Sequence, residues 1–363
     1  MPSKPSQLAR LAALIIVLFA GPIDRARGEP TEWSPEKAAN YLDERQRAWF
    51  GSAQCISCHT GLPYALARPA LDYLAGAKSP SESEAKLFTQ VRLRVANWKH
   101  LDSKEFGLYY DATDQLKVQS WGTEAVFNAA ILAFDDRYQG RTSPTEATKL
   151  AFSHLWDTQV QTGDGSGSWE WLDFNEPPWG SKGARYVGAA LAAVAVGTAP
   201  GYYTPGADAG FDAHVNRLRG YLRLEFRKQN LHHQVWGLWA AAKIGSVLTK
   251  TEQEHLTHQL LDKQRTDGGW NLPSLGPWTR SLPMPETASD GYATSFIVHV
   301  LRTAGLPKED VKLAKGLDWL KRNQTATGAW QSRSLIKKRD PASHSGKFMS
   351  DAATAFAVLA LSP

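Results

Sequence analysis

Three stretches of this chain run to a tryptophan in the same way, and that repetition constrains the fold more than any other feature. "HLWDTQVQTGDGSGSW" ends at Trp169, "HQLLDKQRTDGGW" at Trp270 and "KGLDWLKRNQTATGAW" at Trp330. Each joins an apolar helical stretch to a glutamine, then a glycine-rich turn, then the tryptophan. A loop rich in Pro, Ser and Trp follows, and then a helix of small residues: "ARYVGAALAAVAVG", "SDGYATSFIVHVLRTAG" and "SDAATAFAVLAL". Self-similarity in a fixed order marks a stack of repeated units.

Apolar residues recur at three and four in "YATSFIVHVL" and "AATAFAVLAL", which is helical spacing rather than alternation. "WGTEAVFNAAILAF" (121–134) and "HHQVWGLWAAAKIG" (232–245) have the same character, and strand signals are scarce. The fold class expected is therefore all-α. A single helical hairpin cannot bury its apolar face, so several must close on one another. The apolar fraction of 42% over 363 residues is enough for a large globular core.

The pattern from Lys315 to Trp330 resembles the repeat of the squalene–hopene cyclase and terpene cyclase family, whose members carry prenyltransferase and squalene oxidase repeats. Gln264 to Trp270 matches its second half, and the Gln161 to Trp169 copy is longer by two residues. The resemblance covers residues 91–363 and implies an α/α toroid, two concentric layers of helices. It also implies structural roles for the repeat residues, the glutamine capping helix ends and the tryptophan stacking beside it.

The first 28 residues read as an export signal: Lys4 and Arg10, then the apolar run "LAALIIVLFAG", then small residues Ala26 and Gly28 before Glu29. An uncleaved anchor is the alternative, and either way the expected location is extracytoplasmic, in the periplasm of a bacterium. Without those residues the chain holds 37 basic and 35 acidic groups. A near-neutral body excludes nucleic acid as an expected partner. A membrane surface is compatible but not required. Residues 29–90 lie outside the repeats and read as an N-terminal extension, opened by a helix with Ser34 as its cap and Pro35 in its first position.

That extension holds the only two cysteines, in Cys55-Ile-Ser-Cys58-His59. This is the spacing of a c-type haem attachment site: two thiols for the two vinyl groups and an adjacent imidazole for the iron. Attachment takes place outside the cytoplasm, so the motif and the signal agree. The expected cofactor is one covalent haem c, with Cys55 and Cys58 as tethers and His59 as the iron ligand. A local disulfide, a thiol–disulfide redox pair and a zinc site stay open as alternatives. No methionine falls between His59 and the repeats to act as a second axial ligand. The segment also resembles the N-terminal part of exported bacterial proteins that couple this motif to a cyclase-like toroid.

The cyclase family protonates its substrate with Asp-x-Asp-Asp, and this chain has no such tetrad. Glu124, Asp173 and Glu176 are the candidate acids. Asp135-Asp136 reads as a solvated helix end, and Asp290 and Asp351 as repeat-equivalent helix caps. Trp169, Trp171, Trp179, Trp236, Trp278 and Tyr292 are candidates to line a central apolar cavity, since aromatic faces suit apolar and cationic ligands. The functional expectation is a redox one: electron exchange with a partner protein, or oxidation of an apolar molecule of the terpenoid kind. A terpenoid cyclase-like enzyme and a non-catalytic toroid that binds lipid or protein are the alternatives.

Overall fold

The computed structural model describes residues 33–52, 56–77, 79–103, 106, 112–181, 183–279, 281–282 and 288–363. The expected export signal, residues 1–28, and Cys55 lie outside them. The described chain is all-α, with twelve helices: α1 Pro35–Ser52, α2 Gly61–Ala75, α3 Glu82–Ala96, α4 Asp114–Tyr138, α5 Glu146–Asp157, α6 Ala184–Thr198, α7 Ala209–Glu225, α8 Leu231–Ile244, α9 Lys250–Asp262, α10 Gly291–Thr303, α11 Val311–Arg322 and α12 Phe348–Leu361.

Composition sorts these helices into two sets. The even-numbered ones are apolar and small nearly all round, as in "ARYVGAALAAVAVGT" of α6, and are buried on most faces. The odd-numbered ones are mostly amphipathic, burying one stripe, as α11 does with Leu313, Gly316, Trp319 and Leu320. Contacts follow the same division. Each even helix touches the next, from α2 through α4, α6, α8 and α10 to α12, and α12 touches α2, which closes the cycle. The odd helices lie against this inner cycle.

Helices α1 and α2, which fall within the expected N-terminal extension, pack into the same unit as the repeats. Helix α2 fills the place between α12 and α4, and α1 lies across α2 and α12. Without them the inner cycle would have an open side and the apolar flanks of α4 and α12 would face water.

The repeated glutamine–glycine–tryptophan turns tie the outer layer together. Indole Nε1 of Trp169, Trp270 and Trp330 donates to the carbonyl of Leu155, Leu260 and Leu320, at 2.7, 2.6 and 2.8 Å. Gln264 Nε2 donates to Gly268 O in its own turn and to Lys312 O on α11. Gln324 does the same to Gly328 O and to Ser34 O at the start of α1. In the first copy this role belongs to Gln159, which reaches Gly167 O and His214 O on α7. Gln161, expected in that place, donates to Gln159 O instead. The longer turn shifts the register by two. Gly167, Gly268 and Gly328 all have positive φ, and a Cβ on any of them would collide with a backbone carbonyl of the next outer helix.

Two readings of carboxylates change. Asp135 and Asp136 are buried rather than solvated: Asp135 pairs with Arg92, and Asp136 accepts from Thr145 N and Thr148 Oγ1 and pairs with Arg141. Asp290 does cap α10, accepting from Ala293 N at 2.9 Å. Asp351 does not cap α12; it lies within the helix. Ser350 is the repeat equivalent of Asp290, since Leu272 N donates to Asp290 and Ser332 N to Ser350.

Candidate functional site

The segment Ile56–Thr60 forms the turn that leads into α2. Its conformation is set by Ser57, whose Oγ accepts from both Thr60 N and Gly61 N at 3.0 Å. Ser57 O accepts from Leu62 N at 2.9 Å. With the cap supplied by Ser57, the hydroxyl of Thr60 is released for other contacts.

Cys58, half-buried, faces a cavity near the centre of the helical cycle. Leu62, Pro63 and Leu66 of α2, Phe127, Val187, Leu191, Trp236 and Phe356 line it, with Trp171 and Trp179 from the loop before α6. Among the described residues no charged side chain lines it. Its volume is about 20 Å³, room for about one water. The helical spacing of positions 62 and 66 in "TGLPYALARPAL" was the sequence signal for this wall.

Of the expected lining residues, Trp171, Trp179 and Trp236 reach the cavity. Trp171 donates to Trp179 O, and Trp179 donates to Tyr292 Oη at 3.1 Å. Tyr292 stands just behind the wall, hydrogen-bonded to His232 Nε2 at 2.8 Å and packed on Phe296 and Phe356. Burial keeps His232 neutral, well below the usual imidazole range. Trp169 is bound into its repeat turn, and Trp278 packs against His232 and His233 and donates to Leu272 O; neither lines the cavity.

None of the three candidate acids reaches the cavity. Glu124 is buried in an ion pair with Arg94, at 2.5 and 3.1 Å. Asp173 is exposed in the loop before α6 and accepts from Asn175 N. Glu176, nearby, pairs with Lys337. Their side chains turn to the surface or to α3.

His59 points elsewhere than Cys58. Its ring stacks on Phe348 at the start of α12, 3.7 Å between centroids, and meets Trp49 edge-on at 4.9 Å. Burial, and then the charge of Arg45, hold the imidazole neutral, its pKa down to about 3. Its Nδ1 lies 2.9 Å from Thr60 Oγ1. Thr60 Oγ1 in turn donates to Asp351 Oδ2 at 2.8 Å. Asp351 also takes a forked pair from Arg45, at 2.7 and 3.0 Å, and the hydroxyl of Tyr41 at 2.8 Å. Burial pushes the Asp351 carboxyl upward, and Arg45, Thr60 and Tyr41 oppose that shift. This cluster joins α1, the Cys58–Thr60 turn and α12. Nothing in the local sequence pattern revealed it, because its members lie up to 310 residues apart.

A haem c needs two thiols, an accessible imidazole nitrogen and a seat for the macrocycle. Cys55 lies outside the described residues. The imidazole is held through Nδ1, as iron-binding histidines are, with its ring packed against Phe348 and Trp49. The cavity beside Cys58 does not seat a porphyrin, being far smaller than the macrocycle.

Comparison with protein-family models gives no match, and no curated protein matches the chain. The fold and the site therefore stand on the residues alone.

Proposed function

We propose that this chain is an exported redox protein that carries one haem c on Cys55, Cys58 and His59, beside the apolar centre of an α/α toroid. The observation that supports this most is the placement of His59: an imidazole next to Cys58, with Nδ1 held 2.9 Å from Thr60 Oγ1. Haem supplies one-electron chemistry when bound. Cys55 and Cys58 would hold the group through two thioethers, and His59 would ligate its iron. Its electrons would pass to or from a partner protein or an apolar molecule.

A second reading has its own observation. Cys58 faces a cavity lined by apolar and aromatic side chains. That suits a non-catalytic toroid whose apolar centre is closed by packed side chains, with binding of lipid or protein elsewhere and the cysteine pair as a local disulfide. Cyclisation is the weaker alternative, since Glu124, Asp173 and Glu176 all lie away from that cavity.

A pyridine haemochrome spectrum distinguishes them. Protein exported from a host competent in haem attachment should be red, with the spectrum of a haem bound through two thioethers, and Cys58→Ser should change that spectrum. Colourless protein whose cysteines resist alkylation until reduced would replace the first reading with the second.

A further inference from the structure

We infer that Asp351 is a positioning residue for His59: acting through Thr60, it fixes the proton on Nδ1 and leaves the lone pair on Nε2. The inference builds on the proposed ligand role of His59 but is carried by hydrogen-bond counting. Asp351 receives four donors on two oxygens: Arg45 Nε and Tyr41 Oη on Oδ1, Arg45 Nη2 and Thr60 Oγ1 on Oδ2. A carboxyl group so filled has no place left for a proton of its own. Thr60 has one hydroxyl proton and gives it to Asp351. Toward His59 it can then only accept, so the proton between them belongs to Nδ1.

The surroundings hold this arrangement. Arg45 is locked by a second set of bonds to His344, at 2.9 Å to its carbonyl and 3.2 Å to its Nδ1. Phe348 covers one face of the His59 ring and Trp49 meets it at the edge, which fixes the ring plane. Ser57 takes over the helix cap that Thr60 would otherwise supply. Asp351 occupies the repeat position filled by Gly291 in the preceding copy, as the pairing of Thr354 with Trp330 and of Thr294 with Trp270 shows. The carboxylate is thus an addition to the repeat, placed where it meets the turn after the cysteines.

The test reads the tautomer directly. Full-length protein labelled with ¹⁵N-histidine and prepared without haem attachment is examined by long-range ¹H–¹⁵N correlation. His59 should show a protonated Nδ1 and an unprotonated Nε2, by about ten to one or more, the factor that a hydrogen bond of about 1.4 kcal/mol supplies. Thr60→Val should erase that preference and Thr60→Ser should restore it, with helical content unchanged in both. A wild-type His59 protonated on Nε2, or a Thr60→Val protein with the wild-type tautomer ratio, overturns the inference. Protein that takes up no porphyrin yet shows Nδ1–H overturns the haem reading alone.

Discussion

Gln324 and Ser34, 290 residues apart, hold each other by two hydrogen bonds: Ser34 N donates to Gln324 Oε1 at 2.7 Å, and Gln324 Nε2 donates to Ser34 O at 2.9 Å. The last repeat turn thereby grips the start of the first helix, in the way that Gln159 and Gln264 grip α7 and α11.

Gln324→Ala removes that clasp together with the bond to Gly328 O. Three lost hydrogen bonds, partly replaced by water, should lower stability by about 2 kcal/mol. Gln161→Ala, two residues away from the equivalent position, should change it by less than about 0.5 kcal/mol. Urea denaturation of the two variants checks the register: equal effects would show that the first copy uses Gln161 after all.

Gly328→Ala tests the close approach of the turn to α1. The residue has positive φ, and a Cβ would meet the carbonyl of Lys37. The loss should exceed the roughly 1 kcal/mol that conformational strain alone costs. The same change at Gly305, which also has positive φ but open space around it, should cost only the strain.

Glu124→Gln leaves Arg94 with its charge buried and its ion-pair partner neutral. Breaking a buried pair from one side costs about 3 to 5 kcal/mol. Thermal unfolding should show that loss, while the folded fraction keeps the same visible spectrum as wild type. A specific loss of redox activity in folded protein would return Glu124 to the site.

Buried neutral histidines make stability depend on pH. His233 has its pKa lowered to about 4 by burial, against about 6.5 in the unfolded chain. The unfolded state therefore binds a proton first as pH falls below 6.5, so the contribution is complete above that value and is lost down to about pH 4. At pH 5 this one group should cost about 2 kcal/mol relative to pH 7. His233→Gln should narrow the difference in stability between pH 7 and pH 5 by about that amount, measured by denaturation at both values.

Much of the helical architecture was legible because it is periodic. The glutamine–glycine–tryptophan turns and the small-residue helices repeat in sequence, so three hairpins could be read directly. Helix α2 was not, since no such turn precedes it, and its segment read as an extension. The Asp290 and Asp351 alignment failed by one residue because each small-residue stretch follows a Ser-Asp pair, Ser289-Asp290 before α10 and Ser350-Asp351 inside α12, and the pairs are offset. At the site, the motif marked Cys58 and His59, and aromatic clustering marked Trp171, Trp179 and Trp236. The carboxylate cluster could not be read, because Tyr41, Arg45, Thr60 and Asp351 meet only through the closure of the helical cycle.

The central functional claim is a covalent one, and intact-mass measurement tests it most directly. The gene for residues 1–363 is expressed in a host that attaches haem to exported proteins, and the polypeptide is weighed under denaturing conditions. The account predicts a single species heavier than the polypeptide by one haem, reduced to the bare mass when Cys55 and Cys58 are both replaced by Ala. A wild-type polypeptide at its bare mass, or lighter only by the two hydrogens of a disulfide, contradicts it.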